Sequence, residues 1–133
     1  MRFAALILLF AAASRGQQSC PWLNAATAAG VLGGDVKSQI TEDSCLFAHG
    51  SSELRIEVKT VNLPYKPDCS PNPTALRAIG NEAVACEKPG SDQVAGRVRD
   101  RAFFVRLTSN DFSRIALREK VHSVAEQVAG ILF

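Results

Sequence analysis

The chain has 133 residues, 47% of them hydrophobic, with 15 lysines and arginines against 13 aspartates and glutamates. That length makes one domain with a real core and excludes two. No internal apolar run reaches the ~18 residues that a membrane-spanning helix needs.

The N-terminus differs in kind from the rest. Arg2 supplies a short positive region, residues 3–13 (FAALILLFAAA) an apolar one, and small residues follow. This reads as a signal peptide over residues 1–16, cleaved after Ala13 or Gly16, ahead of a single domain at 17–133. Its loss through Gly16 removes Arg2 and Arg15, leaving 13 charges of each sign. Bulk electrostatics then gives no reason to expect nucleic acid or an anionic membrane as a partner. The expected location is secreted, periplasmic or otherwise in the cell envelope.

Residues 25–32 are alanine-rich and helical, with Asn24 as N-cap and Gly33-Gly34 as the stop. Trp22, the single tryptophan, reads as a core anchor. The polar stretch 35–43 leaves room for one short strand near residues 36–40. Residues 45–48 form a short apolar run, and 49–52 a turn. Residues 54–61 alternate cleanly: Leu54, Ile56 and Val58 face a core, while Arg55, Glu57 and Lys59 face away.

Residues 62–73 (NLPYKPDCSPNP) hold four of the six prolines and form no regular element. They read as a loop joining two halves, pinned by Cys69 and carrying the single tyrosine, Tyr65. A helical turn is expected over 74–79 and a short strand over 82–87. Residues 94–98 and 102–107 form a β-hairpin with Arg99-Asp100-Arg101 at its tip. One face of it is apolar; Arg97, Arg99, Phe104 and Arg106 share the other. The C-terminal helix, capped from Ser109, Asn110 or Asp111, carries Leu117, Val121, Val124, Val128 and Leu132 along one face. It must cover the apolar side of the sheet, since Val105 and Leu107 have nothing else to pack against.

The four cysteines, Cys20, Cys45, Cys69 and Cys86, all follow the leader. An even count in a small exported domain reads as two disulfides. Of three connectivities we favour the sequential one, Cys20–Cys45 and Cys69–Cys86, which ties each helical segment to the strand after it. Cys20 lacks the small and aliphatic residues that a lipid-attachment site has before its cysteine; Gln17-Gln18-Ser19 stand there.

No residue set names a reaction. Cys45 and His49 are four apart but lack further metal ligands at matching spacing. There is no G-x-S-x-G elbow and no nucleotide-binding glycine motif. Catalytic residues, cofactor and metal are therefore expected to be none. The arginines are the suggestive cluster: guanidinium groups hold carboxylate or phosphate in pairs of hydrogen bonds. Arg97, Arg99, Arg101 and Arg106, with Phe104 and Tyr65, make the candidate binding surface, for a partner protein or a small anionic ligand.

The layout of leader, cysteine, helix ending at Leu32-Gly33, Cys45-Leu46-Phe47, alternating strand, Ile79-Gly80-Asn81-Glu82-Ala83, hairpin and last helix resembles a known group. It is similar to the small secreted or lipid-anchored bacterial domains of unknown function common in actinobacteria, and to the extracellular sensor domain of a mycobacterial serine/threonine kinase. The resemblance implies an α+β fold, helices on one side of an antiparallel sheet, and a binding or sensing role. The expected function is a non-catalytic binding module of the cell envelope. The alternatives are a small secreted hydrolase built from scattered carboxylates and His49, and an inhibitor or interaction protein that projects residues 62–73.

Overall fold

The alternating runs become the centre of an antiparallel sheet. A computed structural model describes residues 19–133, so the signal peptide expected at 1–16 lies outside the described residues. The elements are α1 (Ala25–Leu32), β1 (Lys37–Ile40), β2 (Ser44–His49), β3 (Ser52–Thr60), β4 (Thr74–Leu76), β5 (Glu82–Lys88), β6 (Ser91–Val98), β7 (Arg101–Thr108) and α2 (Arg114–Leu132). Seven strands pair in the order β1-β2-β3-β7-β6-β5-β4, every neighbour antiparallel. Among the described residues the fold is α+β, with two helices and two disulfides.

Side-chain alternation gives the sheet an inner and an outer face. Cys45, Ile56, Val105, Val94 and Ala85 form one inner row across five strands. Phe47, Leu54, Leu107, Asp92 and Glu87 form the next. Both helices cover this face: Ala28 and Leu32 of α1, and Leu117, Val121, Val124 and Val128 of α2, join one core with Leu54, Ile56, Val105 and Leu107. A one-residue slip of β7 would exchange Phe103, Val105 and Leu107 for Phe104 and Arg106. Each buried aliphatic or aromatic side chain contributes ~1.5–3 kcal/mol, so the register is strongly held.

Local chemistry sets the helix ends. Asn24 Oδ1 accepts from the Thr27 amide at 2.7 Å, and Gly33 closes α1 with a left-handed φ of 91°. The α2 cap is Ser113, which accepts from the Ala116 amide, and not Ser109, Asn110 or Asp111. Ser109 is buried, shares a 2.7 Å hydrogen bond with Ser52, and accepts from the Asp111 amide, so its hydroxyl is used holding the β7–α2 loop on β3. Lys120 Nζ donates to the Val31 carbonyl at 2.7 Å, bringing a cation to the negative end of α1. The helical turn expected over 74–79 is replaced by β4, an edge strand on β5 followed by a bend. Gly80 there has φ 63°, and an added Cβ would lie 2.6 Å from the Arg97 carbonyl oxygen.

One inner-face residue breaks the apolar pattern. Asp92 is 1% exposed, and neither carboxylate oxygen has a hydrogen-bond partner. Burial raises its pKa, and the negative Glu87 directly opposite it on β5 adds to the effect; Arg114, Arg118 and His122 of α2 pull the other way. Glu87 accepts from Arg118 Nε and, at 3.0 Å, from its Nη2, and that contact lowers the Glu87 pKa.

Two predictions follow from this face. A raised Asp92 pKa means that its contribution to stability is present below the ordinary carboxyl pKa and is lost as pH rises through the folded value. Asp92→Asn therefore gains on the wild type in urea midpoint between pH 4 and pH 7; a pH-independent difference would disprove the linkage. Gly96 lies opposite Phe103, and a methyl group there would overlap the buried ring. Gly96→Ala is expected to cost about 1–3 kcal/mol in chemical unfolding, the range for overpacking.

Candidate functional site

The order of the strands forces one long crossing. β3 pairs with β7, the last strand made, so after Thr60 the chain must travel to the far edge and return by β4, β5, β6 and β7. Four inter-strand spacings separate β3 from β4, about 19 Å. Residues 61–73 make the journey over the outer face, because α1 and α2 occupy the inner one. Cys86 lies in the outer row with Gln93, Arg106, Arg55 and Leu46, and its disulfide to Cys69 fastens this strap to the sheet. Cys45 lies in an inner row, so Cys20–Cys45 fastens the lead-in to α1. The pairing is the expected sequential one, with one bridge on each face; the second ties a proline-rich strap, not a helical segment. No cysteine among the described residues is free.

The strap lies down instead of projecting. Pro67 is buried beneath its neighbours, and Ala95 and Ala102, outer-face residues, are each 5% exposed. Where these two alanines leave space, a half-open cleft of about 350 Å³ runs between strap and sheet. Phe104, Ala95 and Ala102 make its floor; Tyr65 and Asp68 line it from the strap. Asp43 contributes from the β1–β2 turn, Ser44 from the start of β2, and Glu57 and Lys59 from β3. The register explains the gathering: Ser44, Glu57, Phe104 and Ala95 form one outer row, and Lys59, Ala102 and Arg97 the adjacent one.

Two of the residues expected at a binding surface, Tyr65 and Phe104, meet in this cleft. The arginines do not converge there. Arg97 donates to the Arg99 carbonyl at 2.8 Å, and its Nε lies 3.9 Å from Glu82. Arg99 is exposed at the hairpin tip with φ 54°, where its amide donates to Asn81 Oδ1. Arg101 has the inner-face parity of Phe103. Arg106 stands opposite Arg55 in the row beyond Phe104, four positions along the ladder from Arg97, about 13 Å away. Like charges directly opposite are unfavourable, and Glu57 offsets the pair, 3.1 Å from Arg55 Nε.

The histidines stand apart. His49 Nδ1 is 2.7 Å from the Asp35 carbonyl oxygen, at the opposite end of β2 from Ser44 and about 17 Å along the strand. His122 is on α2, across the sheet from the cleft. Among the described residues no three histidine, cysteine or acidic side chains are grouped to hold a metal ion, and no helix is long and apolar enough to cross a membrane.

Reasoning from sequence missed Asp43, Ser44, Glu57, Lys59 and Asp68 as lining residues. The available signal was small: two alanines on the polar face of a hairpin whose other outer residues are large, opposite a strand bearing Glu57 and Lys59.

Removing the outer bridge tests the strap. Its loop spans 17 residues, so a Cys69→Ser/Cys86→Ser variant is expected to lose roughly 3 kcal/mol of stability. Limited proteolysis then cuts within residues 61–73 first, with β3 and β7 still protected from amide exchange. Comparison with protein-family models, with curated proteins and with solved structures finds no match to this chain.

Proposed function

We propose that this chain is a non-catalytic binding module of the bacterial cell envelope that takes a small molecule between its strap and the outer face of its sheet. The observation that carries the reading is the cleft itself: about 350 Å³, within the ordinary range of small-molecule sites, under a strap held by a covalent bond. Its lining supports that reading: Tyr65, Phe104 and the alanines supply apolar area and four charged side chains supply orientation. Two disulfides suit an oxidising compartment outside the cytosol, in keeping with export through the N-terminal segment.

The test is a fragment screen followed in two-dimensional NMR spectra of the oxidised protein. Tyr65 is the sole tyrosine, so its ring signals are assigned without ambiguity. Hits are expected to shift Tyr65, Phe104 and the outer-face amides of β3 and β7. Phe104→Ala, with native-like spectra, weakens them at least tenfold, in line with the apolar area a Phe ring contributes. Arg99→Glu, at the exposed tip, leaves them unchanged. Shifts confined to the hairpin tip or the helix side, indifferent to Phe104→Ala, would displace the cleft in favour of a protein-contact surface.

A further inference from the structure

Resting on that reading, we infer that the ligand of the cleft is an organic cation: a protonated amine attached to an apolar body. The cavity supplies two kinds of partner for such a molecule. Phe104 and Tyr65 line it, and aromatic rings attract both apolar surface and positive charge. Around them stand Asp43, Glu57 and Asp68, against Lys59 within the lining; Glu57 is also paired with Arg55 at 3.1 Å, so with that pair counted the formal surplus is one negative charge.

This surplus is local. The whole chain carries 15 basic and 13 acidic side chains, so the cleft is acidic in a protein that is not. The carboxylates come from three separate segments: Asp43 from the β1–β2 turn, Glu57 from β3, Asp68 from the strap. Asp68 and Glu57 keep capacity for a further donor. Asp68 Oδ1 accepts from the Cys69 amide at 2.9 Å, which leaves its second oxygen. Glu57 is 3.1 Å from Arg55 through one oxygen and 47% exposed. Lys59 is exposed. Arg55 and Arg106 lie one row beyond Glu57 and Phe104, outside the lining, so the outer face divides into an acidic hollow and a basic border. An anion would be steered to the border and away from the rings.

Three probes of one shape separate the possibilities: phenethylammonium, 2-phenylethanol and 3-phenylpropionate, titrated into the full oxidised protein while the Tyr65 ring signals are followed. The ammonium is expected to bind at least tenfold more tightly than the carboxylate, with the alcohol between them. Its affinity falls several-fold from 50 to 500 mM salt, as screening requires. Asp68→Asn keeps an acceptor for the Cys69 amide and removes one charge. It is expected to weaken the ammonium about fivefold, the factor for one charge at close range in water, and to leave the alcohol unchanged. Carboxylate binding as tight as ammonium binding overturns the inference. If all three probes shift Tyr65 alike, the cleft stands and its charge preference is lost; if none does, the cleft reading falls as well.

Discussion

The antiparallel seam between β3 and β7 is the constraint from which the remaining architecture follows. Leu54 opposite Leu107, Ile56 opposite Val105 and Val58 opposite Phe103 join an N-terminal meander to a C-terminal one. All six side chains are almost fully buried, so the seam is both the middle of the sheet and the middle of the core. Because its second strand is the last one made, the chain between must reach the far edge before it can come back. With two helices on the inner face, the only open route lies across the outer one. The strap, the alanines that accommodate it and the hollow beside Phe104 are consequences of that topology.

The two disulfides take complementary parts. Cys20–Cys45 draws the lead-in of an eight-residue helix onto the core, and a helix so short is marginal without tertiary anchoring. Cys69–Cys86 holds an irregular segment that buries little apolar surface of its own, Pro67 excepted. Asp92 is the counter-case: an acidic group buried on the inner face, its pKa raised by that burial, beside a carboxylate already engaged by Arg118.

Much of this was legible in the residues. The Asn24 cap, the Gly33 stop, the alternation through Leu54, Ile56 and Val58 and the stripe from Leu117 to Val128 are local patterns, and local patterns report local structure. The hairpin was legible down to its inner residues, and the turn proved tighter than read, with Val98 pairing directly with Arg101 around Arg99-Asp100. What could not be read is set by distant partners. Residues 74–76 are extended only because β5 offers an edge to pair with. Ser109 lost the helix cap because Ser52, 57 residues earlier, takes its hydroxyl. The cleft depends on five separate segments meeting, and only Tyr65 and Phe104 stood out in one dimension as surface candidates. The arginines did stand out, yet cross-strand register scatters them between an ion pair, a turn tip and both faces.

The sheet's two borders carry a last consequence. β1 is four residues long, begins with Lys37 and is almost wholly exposed; β4 is three residues long and ends in a bend where Ala78 takes a positive φ. Unpaired rims of this kind are where one molecule recruits another by strand addition, and brevity, charge and a sharp bend all blunt that tendency. Both margins of the sheet are thus poor templates for the strand-by-strand stacking that builds fibres.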